Sequence, residues 1–256
     1  MEPLAGIIFL LGTFIGSFLN VCIYRLPRGE SIVSPGSRCR TCKRSVPFFH
    51  NIPILSYFLL RGRCSACQTS ISATYPLIEF LTGLTLVLVW LHYGLTVAFL
   101  QYSLLVLFLL PISFIDMNTK LILNVLTVPG IGVGFLLAFT VRNISPGQAA
   151  TGLLLGGGFL WFVGWIGQLL FKKESMGGGD IKLGAMIGVF LGPEVVVALF
   201  LAFFLALPVI LVGFGTRRLR MGSTLPFGPF ISLATIVIVC FGDVIYTQYM
   251  KLLGPF

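Results

Sequence analysis

The chain has 256 residues, 57% hydrophobic and only 10% charged, with a mean hydropathy of +1.01 and a formal charge of +9. This composition excludes an ordinary soluble domain and implies a multi-span helical membrane protein. Its basic residues lie in short loops between apolar runs rather than along one face, so the charge reads as a topology signal and not as a nucleic-acid surface.

In chain order, apolar runs of spanning or near-spanning length occur at 4–24, 73–92, 96–115, 120–141, 149–171, 181–192, 194–215 and 227–250. The expectation is an all-α membrane protein with about eight transmembrane helices. Its expected domains are a first helix over 1–24, a cytoplasmic zinc-binding loop domain over 25–72 and a polytopic membrane domain over 73–256. Met1-Glu2-Pro3 lacks the basic start of a cleavable signal, so the first helix is expected to be retained. With eight alternating spans, fifteen of the seventeen Lys and Arg residues fall on one face, and only Arg142 and Lys251 on the other. The positive-inside rule makes the crowded face cytoplasmic and leaves both termini outside.

The long polar loop carries Cys39-Arg-Thr-Cys42 and Cys64-Ser-Ala-Cys67, two C-x-x-C pairs with 21 residues between them. That pattern points to a structural zinc site, because sulfur fills all four positions and leaves none for water. A cytoplasmic loop keeps its thiols reduced. Four unliganded thiols in a loose loop are the alternative, but a loop with so few apolar residues needs a staple to fold. Cys22 and Cys240, inside apolar runs, read as small packing residues. Glu79 lies about one turn into the second span. It reads as a snorkelling residue, a partner for a loop arginine or part of a second site, and the spacing favours the ion pair.

Two acids stand where apolar runs meet polar breaks. Asp116 ends the third span, and Asp180 follows Gly177-Gly178-Gly179 at the mouth of the sixth. The glycines permit close backbone approach, and an acid beside a span is a functional-site hypothesis by default. Asp180 alone reads equally well as a helix cap. Together the two fall on the same, cytoplasmic side at similar depth. The sixth run is short, which draws Asp180 toward the membrane. Gly184, Gly188 and Gly192, like Gly152 and Gly156, recur every four residues, a stripe expected to bring the third, fourth and sixth spans together. Glu194 and Asp243 lie toward the outer face, and Glu30 and Glu174 in solvated loops.

Two neighbouring carboxylates do not both ionise cheaply, so one holds a proton while the other acts as base. That arrangement serves an aspartyl protease: the ionised acid draws a proton from water, which attacks the scissile carbonyl, and the protonated acid donates to the carbonyl oxygen. His50 and His92 fall on opposite faces and no serine sits in a nucleophile elbow, which disfavours a serine or zinc hydrolase. A proton- or cation-coupled transporter would use paired acids nearer the midplane, within inverted repeats. A non-catalytic membrane scaffold would use the zinc loop to dock partners.

At this point the residues resemble the bacterial type IV prepilin peptidases, within the GxGD group of intramembrane aspartyl proteases. The resemblance rests on Gly16-Ser-Phe-Leu-Asn-Val-Cys-Ile-Tyr-Arg-Leu-Pro27, Glu30-Ser-Ile-Val-Ser-Pro35 and the paired cysteines. It continues through Asn51-Ile-Pro-Ile-Leu-Ser-Tyr57, Leu60-Arg-Gly-Arg63, Tyr75-Pro-Leu-Ile-Glu79, Gly177-Gly-Gly-Asp180 and Pro226-Phe-Gly-Pro-Phe230. The chain departs from the family pattern at Leu123, where proline is usual before the polar Asn124, and at Thr74, where arginine is common. The resemblance implies an integral enzyme of the bacterial inner membrane with its active site facing the cytoplasm. Such an enzyme cuts the basic leader from prepilins or type II secretion pseudopilins after a glycine, then methylates the new amino terminus with S-adenosylmethionine. It assigns Asp116 and Asp180 to proteolysis, with Gly177 and Gly179 as motif support, and Cys39, Cys42, Cys64 and Cys67 to zinc. Glu79 becomes a candidate for the methyltransferase. The fifteen basic residues on that face would not attract a basic leader, so recognition falls to local acids, the cleavage junction or the apolar segment after it.

Overall fold

The computed structural model describes residues 2–141, 143–172, 176–216 and 225–253. Expectations that involve Arg142, Lys173, Glu174, Arg217, Arg218, Arg220 and Thr224 lie outside them. The chain forms two compact units, residues 1–91 and 92–256.

The first unit holds α1 (Glu2–Arg25), the short α2 (Leu55–Leu59) and most of α3 (Thr74–Tyr93). Glycines let α1 and α3 meet backbone to backbone. A Cβ added at Gly12 would lie 2.7 Å from Gly83 Cα, and one at Gly16 only 2.8 Å from Glu79 Cα. Apolar side chains gain nothing by leaving lipid for one another, so membrane helices associate through such small residues. The side chain of Asn20 donates to Tyr75 O at 3.1 Å, fixing the register at the loop end of the pair. Buried Arg25 donates to the carbonyls of Ser31 (2.8 Å) and Pro35 (2.7 Å), folding the start of the loop back onto α1.

The second unit comprises α4 (Val97–Thr119), α5 (Asn124–Thr140), α6 (Pro146–Phe171), α7 (Gly178–Leu191), α8 (Val195–Gly215) and α9 (Gly228–Leu253). Helix α7 is its core: Leu183, Met186, Ile187 and Phe190 are fully buried. The glycine stripe of α7 faces α6, in the fifth apolar run, and this corrects the expected set of partners. A Cβ at Gly188 would lie 2.0 Å from Gly152 O, and one at Gly156 lies 2.2 Å from Gly184 O. Helix α5 packs on the other side through Gly130, opposite Met186, and Gly134, opposite Val189 and Phe190. Helix α4 is tied in by the buried Gln101, whose Nε2 donates to Phe190 O at 2.7 Å.

Among the described residues, five stretches are long and apolar enough to cross a membrane, from Pro3–Arg28 through Gly178–Gly215, the last broken at Gly192–Glu194. Helices Asn124–Thr140 and Gly228–Gly242 are apolar but shorter. The chain is thus an all-helical, multi-pass membrane protein. Cys22 and Cys240 are buried, as packing residues should be.

Candidate functional site

Asp116 occupies the last turn of α4 and Asp180 the first turn of α7. The helix at Asp116 ends because Lys120 adopts the left-handed conformation (φ 57°), its N–H closing on Asp116 O at 2.8 Å. The chain then turns through Leu121 to Leu123 into α5. Leu123 sits at φ −82°, near the value a proline would impose, so the turn keeps its shape without the ring. Gly179 lies against that turn: a Cβ there would come 2.8 Å from Ile122 Cβ. The close approach brings the start of α7 beside the end of α4, and Lys182 Nζ donates to Asn124 Oδ1 at 2.8 Å across the same junction.

The two carboxylates are near enough to interact electrostatically. Asp116 is buried and Asp180 half-buried. Asp116 Oδ2 accepts the backbone N–H of Gly228, the first residue of α9, at 2.9 Å. Asp180 reaches back to the backbone of Gly177, the N-cap of α7, as the third helical residue does in a capping box. The cap position itself belongs to Gly177, and Asp180 lies inside the first turn of the helix. Three separate helix ends converge on one pair of acids, a geometry suited to activating water against a carbonyl.

The four cysteine sulfurs of the first unit lie within 4.8 Å of one another. Cys39 Sγ and Cys67 Sγ are 3.7 Å apart, close to the ~3.8 Å edge of a tetrahedron with 2.3 Å zinc–sulfur bonds. The two C-x-x-C segments repeat one another with a 25-residue offset. Cys39 N–H donates to Arg44 O and Lys43 N–H to Cys39 O; Cys64 N–H donates to Thr69 O and Gln68 N–H to Cys64 O. Lys43 and Gln68 both take φ 58°. Each knuckle thus turns its sulfurs inward by the same local bonding, and the set fits a divalent metal. Hydrogen bonds from the side chain and backbone of Thr69 bring the Cys67 thiol down to about 6. Backbone bonds from Cys42 and Thr41 lower Cys39. Cys42 goes up to about 11: its bond to the Arg44 backbone pulls down, but desolvation and the neighbouring thiols outweigh it.

Glu79 is buried, and the expected ion pair is corrected. Its Oε2 accepts the backbone N–H of Ile54 at 2.7 Å, so a main-chain donor of the loop takes the place expected for an arginine. Ile54 itself is strained, at φ 62°, ψ −55°, and Leu55 N–H closes on Pro53 O at 2.5 Å. This is a three-residue γ-turn of the rare hand, on a β-branched residue, which costs about 1–3 kcal/mol. Glu79 and Ile54 line a cavity of about 700 Å³ within the first unit, together with Tyr24, His50 and Tyr75. The importance of Gly228 and Ile54 escapes a reading of the sequence alone. The proline-rich Pro226–Phe230 segment is the signal for the first, and the Asn51–Tyr57 motif for the second, but neither shows the contact that its residue makes.

Residues 10–93 match the Bacterial Peptidase A24 N-terminal domain, and residues 103–211 match the Type IV leader peptidase family. The chain is 35% identical over 282 residues to the prepilin leader peptidase/N-methyltransferase of Pseudomonas putida, covering 99% of this chain and 97% of the relative. The protein of that name from Neisseria gonorrhoeae is 34% identical, over 95% of this chain and 92% of its own. The one from Myxococcus xanthus is 40% identical over 73% of this chain and 56% of its own. No solved structure matches the chain.

Proposed function

The chain belongs to the type IV leader peptidase family, and on that premise we infer that it is a prepilin leader peptidase with N-methyltransferase activity. Asp116 and Asp180 form the proteolytic pair. The observation that carries this reading is that one acid from the end of α4 and one from the start of α7 come into electrostatic contact, with Gly228 N–H fixing the first. One member takes the proton of the attacking water while the other donates to the scissile carbonyl and then to the leaving amine. Gly179 acts by letting α7 approach the turn after Asp116, and Gly177 by leaving room at the helix cap for the Asp180 carboxylate.

The finer parts of the reading follow from the same frame. Eight helices lie in the bacterial inner membrane, and α7 reaches only part of the way across: its 14 residues span ~21 Å against a ~30 Å hydrocarbon core. Asp180 therefore lies below the cytoplasmic boundary rather than out in water. Clients are prepilins or type II pseudopilins, whose apolar segment lies in the bilayer parallel to the enzyme's spans. Zinc is held by Cys39, Cys42, Cys64 and Cys67 as a structural ion, and S-adenosylmethionine supplies the methyl group.

The test is cleavage of a purified prepilin in detergent by the wild type, Asp116→Asn and Asp180→Asn, with mass spectrometry of the product's amino terminus. Each variant is expected to lose at least about 10²–10⁴-fold in rate. Wild-type cleavage by either one would refute the pair and return the transporter and scaffold readings to the front.

A further inference from the structure

We propose that residues 48–59 of the loop dip into the headgroup layer of the membrane beside α1 and α3, as a short interfacial element resting on anionic lipid. Helix α2 is built inside out. Its polar Ser56 is buried, with Oγ donating to Phe49 O at 3.1 Å, whereas Leu55, Phe58 and Leu59 are 52%, 68% and 71% exposed. Those three stand at positions i, i+3 and i+4, so they share one helix face. The same hydrogen bond holds α2 against the turn Phe48–His50, which adds the exposed rings of Phe48 and Phe49. Exposed apolar surface on this scale marks a contact with a protein or a membrane.

Depth decides between the two. Ile54, the residue before α2, donates its N–H to Glu79 Oε2 at 2.7 Å. Helix α3, with 20 residues and a length of ~30 Å, just matches the hydrocarbon core, so its start at Thr74 marks the boundary on the loop side. Glu79 lies ~7.5 Å inside that start. On α1 the neighbour of Glu79 Cα is Gly16, where an added Cβ would lie 2.8 Å away, and Gly16 is ~13.5 Å short of the helix end at Arg25. A glutamate side chain and one hydrogen bond together reach about 7 Å. Ile54 is therefore no farther out than the start of α3 and lies inside the end of α1, and the exposed face of α2 begins at that level. A soluble partner does not reach a face held at headgroup depth. Charge points the same way: residues 25–72 hold eight Lys and Arg and a single acid, Glu30, and the exposed Arg61 and Arg63 directly follow α2. Bases bordering an apolar face suit an interfacial helix on anionic lipid. Lipid contact thus gives the loop a further fixing point besides the helix ends and the cysteine cluster.

The experiment inserts the photo-crosslinking residue p-benzoylphenylalanine at position 48 or 58 of the full-length protein in nanodiscs of phosphatidylethanolamine and phosphatidylglycerol, with mass spectrometry of the adducts. A label at position 10, exposed on the span α1, is the positive control for lipid. Prepilin cleavage at the wild-type rate shows that each labelled protein is folded, and either loop position suffices. Both are expected to yield lipid adducts, with phosphatidylglycerol enriched about fivefold over its share of the bilayer. The double variant Arg61→Ala/Arg63→Ala should lose that enrichment. Lipid adducts at position 10 but none at 48 or 58 would overturn the proposal and leave the membrane spans as they are. Adducts only to other parts of this chain or to a second copy would overturn it too, by giving the apolar face to protein.

Discussion

At the scale of single residues, the acid pair is set by backbone groups that no side-chain motif spells out. Gly228 is the sharpest case. Its N–H holds Asp116, and a Cβ at that position would lie 2.8 Å from the very oxygen it holds. Gly228→Ala must therefore push the carboxylate aside by a few tenths of an ångström or more, and misplacement on the order of 1 Å costs about 10²-fold in rate. The expected outcome is a drop of that order in kcat for prepilin cleavage with thermal stability close to wild type; unchanged kcat would mean the N–H contact does not position the acid. Leu123 makes the opposite prediction. It already sits at φ −82°, and its N–H donates no hydrogen bond among the described residues. Leu123→Pro should therefore restrict only the unfolded chain and stabilise the protein by about 0.4–1 kcal/mol, read as a rise in its unfolding temperature.

At the scale of elements, glycine spacing and cysteine spacing were both readable, but to different depths. The positions of the long helices follow from hydropathy, since each apolar run must satisfy its backbone internally as a helix. Which helices pair is a tertiary fact: the every-fourth glycines of α7 announce a close contact, and only the structure shows that Gly152 and Gly156 of α6 receive it. Gly188→Ala, with its Cβ 2.0 Å from Gly152 O, is expected to destabilise the enzyme and lower cleavage, whereas Gly158→Ala, which meets nothing within 4 Å, should do neither. Paired measurement of unfolding temperature and turnover decides it. The knuckles were readable from C-x-x-C, but their matched bonding was not, because it depends on left-handed Lys43 and Gln68. Their chemistry gives a pH dependence. Cys67 is lowered to about 6 from the usual thiol range, so its thiolate contributes fully above that range and is lost as pH falls through about 6. Because zinc binds thiolates and releases their protons, bound zinc, measured after dialysis at stepped pH, should fall as the pH is lowered.

At the scale of the whole molecule, the two proposed chemistries divide between the two compact units. The cysteine cluster, Glu79 and the cavity belong to residues 1–91, and Asp116, Asp180 and Gly228 to residues 92–256. Each unit has its own reason to hold together: α1 and α3 cross through glycines next to a loop gathered on four cysteines, whereas the other helices of the second unit enclose the buried α7. The loop has little core of its own, with Val33, Phe48, Phe58 and Leu59 all exposed, so its order is expected to depend on the proposed metal in a way that the helical unit's does not. Stripping zinc with a chelator, or by Cys42→Ser, should therefore abolish methyl transfer while prepilin cleavage declines by less than about tenfold. The reverse experiment is Asp116→Asn, which should lose cleavage and still methylate a pilin supplied already cleaved. Both rates are read by mass spectrometry on one substrate, so they share every error of preparation. If zinc loss lowers the two activities in parallel, the units do not hold separate centres, and the loop supports the acid pair as well as methyl transfer.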